Sequence, residues 1–183
     1  MRFNWAFLTG PVPGLGGRES YWPRGKVLGG SSSINAMVYI RGQRSDYDHW
    51  AALGNPGWSY ADVLPYFKRA EHNERGADAY HGSGGPLNVM DLRSPNRFGP
   101  VFVEAARQAG YRLNADFNAA DQEGVGVYQV THRNGERCSA AKGYLAAALG
   151  RPNLQVFTDA RVTRIVLDGE RRATGADVLL AGR

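Results

Sequence analysis

Apolar and polar positions alternate most regularly over residues 125–132. Val125, Val127 and Gln129 fall on one side and Tyr128, Val130 and His132 on the other, a period of two that predicts a strand. Asn134-Gly135 follows and predicts a tight hairpin turn, because both residue types accept left-handed backbone. Two other stretches repeat at helical spacing. Val63, Leu64, Tyr66 and Phe67 mark one apolar helix face, and Phe102, Val103 and Ala106 mark another that stops at Gly110. An earlier helical piece over "SDYDHWAALG" has Ser45 followed three residues later by Asp48 as its start signal, and the turn "GNPG" divides it from the next helix. "LNVMDL" at 87–92 predicts a short strand, and "SAAKGYLAAALG" at 139–150 a helix capped by Ser139. "RGADAYHGSGGP" at 75–86 reads as a polar loop, and residues 153–182 as three short strands with Asp168-Gly169 opening a turn.

Residues 10–30 break every period. They are dense in Gly and Pro yet hold Tyr21, Trp22, Val27 and Leu28, which predicts an irregular loop packed against something, as functional loops are. "SSSINAMVYIRG" follows, with serines placed to cap a short helix or an apolar segment ending at Gly42. No run approaches the ~18 apolar residues of a membrane span.

Composition changes this picture little. The 183 residues are 43% apolar, enough for a core, and 24 glycines imply many turns and close backbone approaches. The net charge of +5 is spread as single arginines, whereas a nucleic-acid footprint clusters. Cys138 is the lone cysteine, so neither an internal disulfide nor a cysteine metal site is expected, in keeping with a reducing compartment. The expected location is the cytoplasm, with peripheral association at the inner membrane as the alternative.

Several short matches carry little chemistry. "GLGGRE" and "GVGVYQ" begin like G-x-G-x-x-G but lack the third glycine and the strand–helix setting. "SAAK" at 139–142 matches the S-x-x-K of acyl-serine enzymes without the partner elements, so a helix cap is the better reading. His49, His72, His81 and His132 form no H-x-x-x-H pair, and Asp46, Asp48 and His49 read as a solvated helix face, so no metal is expected.

The stretch "GKVLGGSSSIN" at 25–35 is different in kind. Gly29 and Gly30 let a ligand approach the backbone closely, and Ser31 to Ser33 offer consecutive N–H groups and hydroxyls suited to a pyrophosphate. Asn35 adds an amide, while Ile34, Ala36, Met37 and Val38 could line a flat ring. Taken as a bare pattern, a flexible linker or a simple helix cap is the better reading.

From "NW" at 4 to "RG" at 41 the sequence closely resembles the glucose–methanol–choline (GMC) flavin oxidoreductases, and "GKVLGGSSSINAMVYIRGQRSDYD" resembles that family's first signature along its whole length. The resemblance continues through "DFNAADQEGVGVYQVTHRNGERCSAAKGYL" and "RPNLQVFTDARVTRIV", and the nearest likeness is to choline-dehydrogenase-like members. It implies an α/β fold with an α+β substrate part: a fragment of a Rossmann-like FAD-binding domain with an inserted substrate-binding domain. Residues 1–45 and 139–183 would belong to the FAD domain and 46–138 to the substrate domain. It implies FAD as cofactor and transfer of hydride from an alcohol CH–OH group to flavin N5. The implied cofactor-binding positions are Val27, Gly29, Gly30, Ser31, Asn35, Ala36, Met37 and Val38, with Val162 on a later strand contacting the adenine. Ile34 stands where some members carry the histidine that bonds FAD covalently, so non-covalent FAD is expected.

By the same resemblance, the G-x-G-x-x-G strand–helix unit would precede residue 1, and the second signature and catalytic histidine would follow residue 183. No catalytic residue is expected in the chain itself, and on its own it should expose apolar faces, dissolve poorly and turn nothing over. The implied partners are a small-molecule alcohol and an electron acceptor that is either oxygen or a quinone-type carrier, with no nucleic acid. Trp50, Trp58, Tyr60 and Tyr80 are available for a quaternary-ammonium cage. The alternatives are a truncated product without enzymatic activity and a basic anion-binding module.

Overall fold

A computed structural model describes residues 2–180, which form two compact units divided at Ala147/Ala148. The first unit opens with a small antiparallel pair, β1 (Phe7–Leu8) against β2 (Tyr21–Trp22), in register Phe7 with Trp22 and Leu8 with Tyr21. The expected irregular loop is therefore partly a ribbon. Backbone bonds Thr9 N to Ser20 O and Lys26 N to Phe3 O tie its two sides together, which periodicity within either side could not show.

Helices α1 (Arg44–Ala52) and α2 (Tyr60–Ala70) follow, divided as expected by the Gly-Asn-Pro-Gly turn. The start of α1 lies two residues earlier than the Ser45–Asp48 spacing suggests. Asp46 Oδ2 accepts the Gln43 N–H at 2.7 Å, while Asp48 Oδ1 accepts the Tyr60 N–H at 2.9 Å and so ties the first helix to the start of the second. At that start Ser59 and Asp62 exchange bonds, Ser59 N to Asp62 Oδ2 at 3.1 Å and Asp62 N to Ser59 Oγ at 3.3 Å. Between the helices Tyr47 packs on Trp50, Tyr60 and Phe67 with ring centroids 5.5–6.2 Å apart, an apolar contact of the tilted and edge-on kind aromatic quadrupoles favour.

The chain passes from α2 directly into β3 (Glu71–Asn73), a strand that the sequence pattern does not mark. It runs parallel to β4 (Leu87–Val89), the expected short strand. The ladder continues through single bridges: Met90 pairs with Val130, and Val130 in turn with Val38. The predicted strand at 125–132 thus exists only as bridges, Leu113–Val125 and the two at Val130, before the hairpin β5 (His132–Arg133) and β6 (Glu136–Arg137). Its turn is the predicted Asn134-Gly135, both left-handed at φ 53° and 79°. Four segments, around 38, 130, 89 and 72, consequently lie side by side and carry the Gly-Ser stretch at one edge. Helix α3 (Phe98–Gln108) is the predicted one. The helix after Ser139 is a wide π turn over Ala141–Leu145 running into Ala146–Ala148, and Ser139 Oγ accepts the Lys142 N–H at 3.3 Å as the capping reading expects.

Val89, Met90, Phe117, Val130 and Cys138 make the apolar centre of this unit, but Arg41, Glu71, Asn73, His81, Asn118 and Gln129 are buried with them. The second unit is a hairpin of β7 (Ala160–Leu167) and β8 (Ala173–Leu180), where three strands were expected. The stretch before it makes no ladder, and positions 181–182 of the expected third strand lie outside the described residues. Asp168 opens the turn as predicted, its Oδ1 accepting the N–H groups of Glu170 and Arg172. Among the described residues no helix is long and apolar enough to cross a membrane.

Candidate functional site

The Gly-Ser stretch folds into a single 3₁₀ turn, Gly30–Ser33, entered through two left-handed glycines, Gly29 at φ 86° and Gly30 at φ 56°. The two glycines serve different ends. A Cβ on Gly29 would lie 2.5 Å from Ser33 Oγ and 3.2 Å from Ala141 N, so the loop's own packing forbids a side chain there. A Cβ on Gly30 would meet nothing within 4 Å. It faces the open side from which a ligand could reach the backbone.

Most of the serine hydroxyls do not point that way. Ser33 Oγ donates to Leu28 O at 2.8 Å, and Ser32 Oγ donates to Gly29 O at 2.5 Å while accepting the Ala140 N–H at 2.8 Å. They hold the bend rather than offer themselves to a phosphate. Ser31 differs: it is exposed, its Oγ accepts the Gly25 N–H at 3.2 Å, and its own hydrogen is not engaged among the described residues. Val27, Asn35, Ala36 and Val38 are also exposed, Val38 to 46%. Of the other expected positions in this stretch, Gly29, Gly30 and Met37 are half-buried. Val162 lies in β7 of the second unit, opposite Val178.

Met37 sits at φ 63°, a left-handed conformation unfavourable for a residue with a Cβ. Its neighbours hold it there. Asn35 Oδ1 accepts the Met37 N–H at 3.1 Å, Thr131 N donates to Met37 O at 2.9 Å, and His132 Nε2 lies 2.9 Å from Met37 Sδ. Arg137 reaches the same loop. Nothing in the sequence pattern marks residues 131–140 as a support for residues 29–38; the one usable signal was the Asn-Gly turn that sends this hairpin back across the ladder.

Three residues on from Val38, at Arg41, begins a buried charge cluster that the sequence reading did not identify; of its members only His81 lies in the expected polar loop. Arg41 Nη2 donates to Glu71 Oε2 at 2.7 Å, and both side chains are nearly fully enclosed. His81 bridges two carboxylates, with Nδ1 3.1 Å from Glu71 Oε1 and Nε2 2.9 Å from Asp116 Oδ2. Asn73 Nδ2 donates to Glu71 Oε1 and to Gln129 Oε1, each at 3.0 Å. The bonds from His81 to Asp116 and then to Glu71 outweigh burial and raise the imidazole from 6.5 to about 9, so the ring is cationic at neutral pH. Burial pushes Glu71 up, but bonds from His81 and the Gly82 N–H and the charge of Arg41 overcome it and hold the carboxyl below its ordinary value. Asp116 is likewise lowered against burial by His81 and the Asn118 N–H. Among the described residues Arg41 Nε has no hydrogen-bond partner; the guanidinium carbon stands 5.2 Å from the Phe67 ring centre and 5.8 Å from that of Tyr39. These groups bond chiefly to one another, while the Asp116 side chain keeps 22% of its surface exposed.

The four aromatics considered for a cation cage do not converge. Tyr60 and Tyr80 line a cavity of about 370 Å³ that Arg41 and Arg44 also line, and the Arg44 guanidinium already sits 5.0 Å from the Tyr60 ring centre. Trp50 belongs to a separate recess with Asp46, Tyr47 and His49, and stacks edge-on with Trp58 at 5.9 Å. Among the described residues no group of three or more His, Cys, Asp or Glu side chains is placed to hold a metal ion.

The family model described as GMC oxidoreductase matches residues 8–182. The chain belongs to the GMC oxidoreductase family. Similar proteins include the oxygen-dependent choline dehydrogenase of Sinorhizobium fredii, 48% identical over 182 residues covering all of this chain and 33% of that protein. An alcohol dehydrogenase [acceptor] of Pseudomonas putida is 45% identical over 97% of this chain and 32% of its own length. Among solved structures, an FAD-dependent oxidoreductase from Chaetomium thermophilum superposes with a TM-score of 0.89 at 28% identity, over 99% of this chain and 33% of that one. The chain therefore spans about a third of the curated relatives it matches, and its mixed helices and strands are an α/β segment of the GMC fold.

Proposed function

We propose that this chain supplies the flavin-holding loop of an FAD-dependent enzyme that oxidises an alcohol CH–OH group. The observation that carries the reading is the loop at 27–38 within a GMC match along nearly the whole chain. The residues present fit a dinucleotide bearing a large ring. Gly30 leaves its outer side open, Ser31 keeps a hydroxyl hydrogen free, and Ala36 and Val38 expose apolar surface beside the Asn35 amide. When bound, FAD would supply the hydride acceptor. The chain's own part is to grip the cofactor backbone and keep water from one side of the ring. Val162 of β7 would contact the adenine, and Ile34 in the signature leaves no histidine to form a covalent link, so the cofactor is released on unfolding. Residues 1–45 and 139–183 would serve the FAD domain and residues 46–138 the substrate domain.

A choline-like alcohol is the leading substrate class, from the GMC relatives. The cavity that Arg41 and Arg44 line is lined also by Asp48, Asp121 and Glu123, so its charge is mixed and does not select for a quaternary ammonium. Oxygen or a quinone-type carrier would take the electrons, in the cytoplasm. FAD titrated into the chain should show quenched flavin fluorescence, and denaturation should return the flavin to solution. A folded chain that leaves FAD fluorescence untouched would overturn the reading, and one that instead retains nucleic acid with steep salt dependence would favour an anion-binding module.

A further inference from the structure

We infer that Arg137 is a positioning residue for the flavin loop, acting through Asn35 on the backbone of Met37. This rests on the reading that residues 27–38 hold the flavin. Arg137 Nη1 lies 3.1 Å from Ser32 O, 2.8 Å from Asn35 O and 2.8 Å from Asn35 Oδ1. One guanidinium nitrogen thus gathers both carbonyls that flank the turn exit and the amide oxygen between them. Those partners are neutral, and among the described residues no carboxylate pairs with Arg137. The neighbouring Glu136 is taken by Lys142. A full positive charge therefore stands against the inner side of a loop whose outer side is to receive a diphosphate.

The link to Met37 is geometric. The same Asn35 Oδ1 that faces Arg137 accepts the Met37 N–H, and Met37 is left-handed at φ 63°. Thr131 and His132, from the same hairpin as Arg137, hold the Met37 carbonyl and sulfur. The hairpin thus grips both ends of the segment Asn35–Met37, and Ala36 between them is the exposed tip. Loss of Arg137 frees the Asn35 amide to rotate, lets Met37 leave the left-handed region, and shifts Ala36 and Val38, the wall assigned to the flavin ring.

The test is FAD titration of the chain with three variants beside the parent. Arg137→Met should weaken FAD binding at least tenfold and shift the visible absorption band of the flavin that still binds, a signature that mere loss of fold stability does not produce. Arg137→Lys keeps the charge but cannot span three oxygens, so it should bind a few-fold less tightly and show a smaller shift in the same direction; it also serves if the methionine variant fails to fold. Gly30→Asp places a carboxylate on the open side at a left-handed position that Asp tolerates, and tests the loop assignment itself. If both Arg137 variants bind FAD with the parent's affinity and spectrum while Gly30→Asp does not, Arg137 only braces the hairpin and the inference falls. If Gly30→Asp also binds FAD like the parent, the loop assignment falls, and the inference with it.

Discussion

The Gly-Ser loop and the charge cluster behind it share one ladder of segments and lie three residues apart at their nearest, Val38 to Arg41, yet they use polarity in opposite ways. In the cluster, Arg41, Glu71, His81 and Asp116 bond chiefly to one another, and enclosure strengthens the bonds around Glu71, where little water competes. In the loop, hydroxyls at 32 and 33 and the Arg137 guanidinium are spent on the inner side, while Gly30, Ser31, Asn35, Ala36 and Val38 line an outer side with capacity to spare. A closed network makes a rigid support, and an open one next to it makes a site. The cluster is accordingly where mutation should damage the fold, and the loop where it should damage binding.

The comparison breaks most sharply at Glu71. Glu71→Gln leaves Arg41 and a cationic His81 enclosed together without the anion between them, which should lower unfolding free energy by about 3–5 kcal/mol. Chemical denaturation of the chain measures it. A loss below about 1 kcal/mol would put the cluster on a par with surface ion pairs and remove the contrast with the loop.

pH probes the same cluster without mutation. The His81 pKa rises from 6.5 unfolded to about 9 folded, so its stabilisation is complete below pH 6.5 and drains away as pH climbs to about 9. The whole rise corresponds to about 3 kcal/mol. Glu71 and Asp116, held below ordinary carboxylate values, work in the other sense and lose their contribution as pH falls through their folded values. Unfolding free energy should therefore decline across the alkaline window, and His81→Gln should flatten that decline. A parent chain whose stability is level from pH 6.5 to 9 would contradict a bridging cation at this position.

What sequence alone could show divides along the same line. Helices α2 and α3 were legible because their apolar repeats are local, and the hairpin at 134 because Asn-Gly demands left-handed backbone. The bend at 29–33 was legible because glycines and small side chains crowd there. Strand β3 was not: Glu-His-Asn has the look of a helix end in solvent, and it is buried only because Arg41, Gln129 and the Tyr80–Gly82 turn arrive from 8 to 56 residues away. The serine hydroxyls were half legible. Their presence at a bend was plain, but the direction they face depends on Ala140 and on carbonyls three to five residues back, and that is decided by packing.

The smallest effect is the most discriminating, because it compares adjacent residues of identical type. Gly29→Ala and Gly30→Ala each force a Cβ into left-handed backbone, at about 1–2 kcal/mol apiece. Gly29→Ala carries an added burden, since its methyl would press on Ser33 Oγ and the Ala141 N–H and displace the bond that Ser33 makes to Leu28 O. Gly30→Ala meets open space. The first should therefore be the less stable variant by about 1 kcal/mol, in the range of a strained contact or one lost hydrogen bond. FAD affinity should order them the other way once each is studied well below its melting temperature, because only the methyl at 30 stands on the side proposed for the cofactor. Two variants equal in melting temperature and in FAD affinity would show that the loop has no inner and outer side, and the contrast between support and site would then stop at the cluster.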